Sequence, residues 1–171
     1  LPAGRPLIRG LFSGGTLASE AQLVLHAGGE KVSSNAPLTG IKHLSNSAEP
    51  HHKIIDLGSD EYTRGRPHPM IDPSVRDDLL IKALKDPSIG LVLLDLILGY
   101  GAHSNPAAHV ARCINNLKTG HPLIIASVTG TVHDPQNRAA QIKILEASGV
   151  IVAPTNADAA ACALACLRTP S

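Results

Sequence analysis

Five short apolar runs, each followed by a polar stretch and then a segment with helical spacing, leave this chain few folds to choose from. The runs are Leu7–Leu11, Lys53–Leu57, Leu91–Leu98, Pro122–Val128 and Val150–Ala153. Between them, Leu17–His26 repeats apolar residues at Leu17, Ala21, Val24 and Leu25 and stops at Gly28-Gly29. Asp72 as N-cap with Pro73 at the first helical position opens a second helix, which runs to about Asp86. Asn105-Pro106 opens a third that ends near Gly120, Pro135–Ser148 forms a fourth, and Ala157–Leu167 closes the chain. Strands that alternate with helices of roughly 10–15 residues imply βαβ crossovers, and hence a parallel sheet covered on both faces. The expected fold is therefore α/β, three-layered, with a mainly parallel five-stranded flavodoxin-like sheet and a switch point beside the first strand. A Rossmann-type order is the rival.

At 171 residues the chain fits one domain, with residues 30–52 as an irregular insertion that leaves a short helix or strand near Gly40–Leu44 open. Phe12, Tyr62 and Tyr100 are its only aromatic residues, so the core must be aliphatic, which suits a buried parallel sheet. A net charge of +1 gives no electrostatic footprint for nucleic acid, and stacking platforms are missing. No apolar run approaches membrane-spanning length. Cys113, Cys162 and Cys166 lack paired spacing and read as small buried residues in a reducing, cytoplasmic setting. Zinc spacing is absent, so no metal is expected. Without an initiator methionine or signal layout, the chain is expected to be a fragment of a longer polypeptide.

In a parallel sheet every strand-to-helix loop lies on one edge, and the polar residues gather in those loops. Ser13-Gly14-Gly15-Thr16 stands directly before a helix, where free N–H groups and the dipole would form an anion seat, with a tight turn and a Ser/Thr cap as the equal alternative. The run Gly58–Pro73 carries Arg64, Arg66, His68 and three prolines, a stiff loop whose guanidinium forks suit carboxylate or phosphate. The plainer alternative, set behind the functional one, is a solvated surface loop whose arginines pair with Asp60 and Glu61. Asp95 interrupts the most apolar strand and must be paired or face a site. His103 lies in a glycine-rich loop beside Asn105, and His133 adjoins Asp134. His26, His43, His109 and His121 read as scaffold or surface. The helix-to-strand connections at Gly90, Gly120-His121 and Gly149 are short and plain, so a single site at the carboxyl edge is expected.

Four of these segments, Ser13–Ala21, Asp56–Pro73, Asp95–His103 and Gly130–Gln136, resemble the FdrA proteins, relatives of the succinyl-CoA synthetase α subunit. The long run Arg66-Pro67-His68-Pro69-Met70-Ile71-Asp72-Pro73 is the most specific part, and the likeness covers essentially the whole chain. It implies a flavodoxin-like CoA-ligase domain whose Ser13, Gly14, Gly15 and Thr16 face a phosphate. It also implies coenzyme A or a phosphorylated substrate, and other domains or subunits as partners.

The expected activity is handling of an acyl or carbamoyl phosphate or thioester, as a ligase or transferase. The expected roles are His68, His103 and Asp95 in catalysis, with Arg64, Arg66, Asp72 and Gln136 on a small-molecule anion. FdrA proteins are associated with purine-derived ureide breakdown, where they resemble components of an oxamate carbamoyltransferase. A non-catalytic assembly domain is the alternative from another class. The synthetases carry a phosphorylated histidine in Gly-His-Ala-Gly-Ala; here Thr131–Ala139 replaces that motif, so no phosphohistidine is expected. The CoA-binding domain that precedes this one in the synthetases does not lie within these residues.

Overall fold

The nine-residue strand β5 (Ile89–Ile97), buried from Ile89 to Leu96, is the centre of the molecule. It belongs to a computed structural model that describes residues 1–2, 4–46, 50–117 and 120–168. On one side β5 pairs with β1 (Leu7–Phe12), and β1 with β4 (His52–Asp56); on the other lie β6 (Leu123–Thr129) and β7 (Ile151–Ala153). All pairings are parallel. The order β4-β1-β5-β6-β7 is the expected flavodoxin-like one, with the reversal beside β1.

The sheet has seven strands, not five. β2 (Val32–Ser34) and β3 (Lys42–His43) extend it beyond β4, and both come from the segment expected to be irregular. β2 is Val-Ser-Ser and β3 is Lys-His, so neither carries an apolar run; they join through backbone hydrogen bonds, which hydropathy does not report. A short 3-10 turn, Leu44–Asn46, follows, and residues 47–49 of that segment lie outside the described residues.

Alternation along β5 divides the core. Val92, Leu94 and Leu96 face α3 (Ser74–Lys85), α4 (Pro106–Asn115) and α5 (Arg138–Ala147). Leu91 and Leu93 face α1 (Gly15–Ala27) and α6 (Asn156–Arg168), whose contact is lined by Ala18, Ala21, Ala159, Ala160 and Ala163. Small residues let those two helices approach closely over the sheet. Each large aliphatic side chain buried in this way contributes about 1.5–3 kcal/mol.

Several helix starts differ from expectation, α1 beginning at Gly15 rather than Leu17 and α6 at Asn156 rather than Ala157. The Gly58–Pro73 loop contains a one-turn helix, α2 (Asp60–Thr63). α3 takes Pro73, not Asp72, as its N-cap, while Asp72 Oδ1 accepts from the Ser74 amide at 3.0 Å. α5 begins at Arg138 rather than Pro135, because Asn137 adopts φ 56° and its side chain accepts from Ala140 N. Asn tolerates that left-handed conformation better than most residues, and it caps the helix in the same stroke. α4 starts as expected, with the Asn105 side chain accepting from Ala108 N and Pro106 opening the helix. It ends at Asn115, before Gly120; residues 118–119 lie outside the described residues.

Candidate functional site

β1 ends at Phe12 and the chain turns through Ser13 and Gly14 directly into α1. Gly14 is the N-cap, with extended backbone and no side chain to bond the first turn, and no acidic residue lies in that turn. The N–H groups of Gly14, Gly15, Thr16 and Leu17 have no hydrogen-bond partner among the described residues. They border a partly open pocket of about 220 Å³ that is also lined by His68 and Met70 from the long loop and by Asp95 and Ile97 from β5. Four free donors at the positive end of a 13-residue helix favour an anion there.

Two carboxylates frame that helix start. Asp56, at the end of β4, accepts from Gly58 N at 2.9 Å through Oδ1, and its Oδ2 lies 3.1 Å from where a Cβ on Gly15 would stand. Asp95 is fully buried, and its Oδ1 accepts from Ser13 N at 2.7 Å. Beneath it lies Arg76 of α3, only 2% exposed, whose Nη1 donates to Asp95 O at 2.7 Å and to Ser13 Oγ at 3.3 Å. The same nitrogen is 3.9 Å from Asp95 Oδ1. Arg76 Nε and Asp95 Oδ2 are left without partners among the described residues. Burial pushes the Asp95 carboxyl above its ordinary range, against the opposing pull of Arg76 and the Ser13 hydrogen bonds. Burial likewise lowers the Arg76 guanidinium, which nonetheless keeps its charge.

Arg76 was missed in the sequence. It occupies the buried stripe Arg76, Leu80, Ala83, Leu84 of α3, and a charged residue in an apolar helical stripe is the signal that could have found it.

The long loop folds over the cavity. His68 Nδ1 accepts from Met70 N at 3.2 Å, so the neutral ring carries its proton on Nε2. That nitrogen lies 2.8 Å from the point a Cβ on Gly58 would occupy, and Ser13 O is equally close. Only glycine lets His68 pack against the turn at the head of α1. Arg64 and Arg66 are exposed, and no side-chain ion pair to Asp60 or Glu61 forms among the described residues. Asp72 is held below the usual carboxylate range by its hydrogen bonds from Ser74.

The loop after β5 is braced from two sides. His103 N donates to Met70 O at 2.8 Å, tying it to the long loop. Gln136 is buried and donates through Nε2 to Gly99 O at 2.8 Å and to Ala102 O and His103 O at longer range, while Oε1 accepts from Gly99 N. Its amide is thus committed to holding that loop. His103 Nδ1 accepts from Asn105 N, and its ring meets His109 edge-on at 4.6 Å between centroids. His109, read as scaffold, bonds Asp77 Oδ2 through Nδ1 at 2.6 Å, an Asp–His pair between α3 and α4 that spacing did not reveal. His133 is exposed on the loop before α5, with its amide donating to Thr131 Oγ1. Asp134 Oδ2 accepts from Thr131 N in the same turn. The structure therefore gathers Ser13 to Thr16, His68 and Asp95 around one cavity, whereas Arg64, Arg66, His103 and Gln136 lie in the loops around it.

An open helix start framed by loops at the carboxyl edge of a doubly wound parallel sheet is where α/β domains of this class receive ligands. Within that class the sequence profile of the CoA-ligase family matches residues 11–166, and the chain belongs to that family. It is 36% identical over 160 residues to the uncharacterized protein YahF of Escherichia coli (strain K12), an alignment covering 88% of this chain and 31% of YahF. The crystal structure of PH0766 from Pyrococcus horikoshii OT3 shares the fold, with a TM-score of 0.57 over 97% of this chain and 35% of that one, at 13% identity. The chain spans about a third of the length of these relatives.

Proposed function

We propose that this chain is the catalytic domain of a CoA-ligase-type enzyme that handles an acyl or carbamoyl phosphate or thioester, in the manner of the FdrA proteins it resembles. The observation that carries the reading is the uncapped start of α1, with four free N–H groups facing a small cavity. Those donors and the helix dipole would stabilise the negative oxygens of a phosphoryl group or of a tetrahedral acyl intermediate. His68, with its proton on Nε2, would donate to the same oxygens, and Arg64 and Arg66, exposed on the loop beside it, would clamp a substrate carboxylate. His103 would exchange protons at the rim. Asp72 lies at the foot of this loop, where its low titration keeps it an acceptor for a substrate donor.

At about 220 Å³ the cavity is smaller than the ~300 Å³ lower end for drug-sized ligands. It would take a phosphate or the acyl end of a thioester, with the body of coenzyme A held elsewhere in the intact protein. When bound, coenzyme A would supply the thiol that accepts the acyl group. A carbamoyl transfer, as in an oxamate carbamoyltransferase of ureide breakdown, would use the same seat without the thiol.

The test assays the intact protein for acyl-CoA formation and carbamoyl transfer side by side, in wild type and two variants. Gly14→Asp places a carboxylate over the free amides from a position with open space and extended backbone, so it should cap α1 and exclude the ligand. Arg66→Ala should lower turnover by roughly 100-fold or more with little change in stability. Unchanged turnover in both variants would end this reading and favour a non-catalytic assembly domain.

A further inference from the structure

The cavity at the start of α1 has donors on one side and a carboxylate on the other. Asp95 is fully buried and lines it; its Oδ1 is taken by Ser13 N, and its Oδ2 has no partner among the described residues. A ligand held on the α1 amides would bring negative oxygens against that free oxygen. Two oxygens of this kind approach closely only with a proton between them. Resting on the anion seat argued above, we propose that Asp95 selects the ligand by its proton. The seat takes orthophosphate in the hydrogen phosphate form, whose O–H is donated to Asp95 Oδ2, and rejects oxyanions that carry no proton, such as sulfate.

Hydrogen phosphate keeps an O–H through the neutral and mildly alkaline range, whereas sulfate has none. With sulfate bound, Asp95 Oδ2 would stay unpaired in a dry site beside a like charge, a penalty that sites built to accept one hydrogen bond exploit for discrimination. The surroundings of Asp95 enforce this demand. Arg76 from α3 balances its charge from below, and the Ser13 amide from the end of β1 fixes its orientation. His68 lines the cavity from the long loop, and Asp56 at the end of β4 adds a second negative group near Gly15. On the neighbouring strand β6, the residue in register with Asp95 is Ser127, which is uncharged. As pH falls, Asp95, pushed up by burial, takes a proton from solution and becomes the donor itself. A fully ionised oxyanion then fits. Selectivity for phosphate is therefore greatest in mildly alkaline buffer and shrinks towards acid.

The experiment measures binding of inorganic phosphate, arsenate and sulfate to the intact protein by calorimetry, with Gly14→Asp as the blank for the seat. Phosphate and arsenate should bind, and sulfate should bind at least about tenfold more weakly in mildly alkaline buffer, with the gap closing as pH falls. In Asp95→Asn, whose amide can donate to either anion, the ratio should move towards one. Should that variant leave Arg76 too poorly paired to fold, the double variant Arg76→Met/Asp95→Asn carries the same readout, and the wild-type pH series needs no variant. Equal binding of both anions in wild type, abolished by Gly14→Asp, would overturn the Asp95 selection while leaving the seat intact. Phosphate selectivity that persists in the asparagine variants would overturn it too. Absence of any binding sensitive to Gly14→Asp would overturn the seat and the selection together.

Discussion

Arg76 and Asp95 form a buried ion pair that no surface feature explains. Their nearest charged atoms stand 3.9 Å apart, and what binds the two residues is mostly the 2.7 Å hydrogen bond from the guanidinium to the Asp95 carbonyl. Burying both charges costs desolvation that a pair of apolar residues would avoid, so the pair is poor evidence for stability and better evidence for a task. Removing one partner should be far worse than removing both. In urea unfolding, Arg76→Met should cost about 3–5 kcal/mol, since it strands a buried carboxylate, and Arg76→Met/Asp95→Asn should recover much of that loss. A double variant no more stable than Arg76→Met would show that the cost comes from packing rather than charge. Asp95 itself was legible in the sequence, because a lone acid in an apolar strand must answer to something. Its partner was hidden: Arg76 lies nineteen positions upstream on another element, and nothing local ties the two together.

At the scale of elements, the loops on the carboxyl edge owe their shape to short polar anchors. Gln136 reaches back across the edge to hold the Gly99–His103 backbone, and His103 in turn holds Met70. The loop before α5 is built differently from expectation. α5 starts three residues later, and His133 lies four residues before its N-cap on a turn closed by Thr131 and Asp134. A histidine pinned in that turn lacks the small flexible neighbours that would let it swing between sites. Incubated with ATP, or with acyl-CoA and phosphate, the intact protein should acquire no acid-labile phosphate on His133. Mass spectrometry under alkaline conditions that found stoichiometric phosphohistidine there would reverse this. Helix starts are poorly legible in general because capping depends on backbone angles, and at Asn137 a positive φ moved the boundary.

For the whole molecule, one contribution to acid stability comes from a histidine far from the cavity. His52 of β4 is buried; its Nδ1 accepts from Ile8 N at 3.0 Å and its Nε2 donates to Glu30 Oε2 at 3.2 Å. Burial lowers its pKa below the ordinary 6.5, outweighing the pull of Glu30. The unfolded chain therefore binds the proton more readily than the folded one. Stability from this group is complete above 6.5 and declines as pH falls from there through the lowered folded value. His52→Gln keeps an acceptor for Ile8 and a donor for Glu30 but cannot titrate. Its unfolding free energy should fall less between neutral and mildly acid pH than that of wild type. Equal pH slopes would assign the acid sensitivity to other groups. Among the described residues no helix is long and apolar enough to cross a membrane, and no group of His, Cys, Asp and Glu is arranged to hold a metal ion.

What the sequence determined by itself was the periodic part. Apolar runs of strand length alternating with helical spacing require parallel crossovers, and crossovers put every strand-to-helix loop on one edge, so the five main strands and the location of Ser13 to Thr16 followed from local pattern and chain handedness, while the choice between a flavodoxin-like and a Rossmann-type order was settled by the sheet itself. The tertiary structure decided everything that depends on residues meeting from separate elements. β2 and β3 exist because β4 offers backbone groups to pair with, not because Val-Ser-Ser or Lys-His prefers a strand. Gln136 became a brace rather than a free amide because the β5 loop lies within its reach. Arg76 and Asp95 became a pair beside the turn into α1 because the sheet brings the end of β5 beside the start of α3. Periodicity is a property of neighbours along the chain, whereas a site is made by the contacts of distant residues, and those are fixed only when the sheet closes.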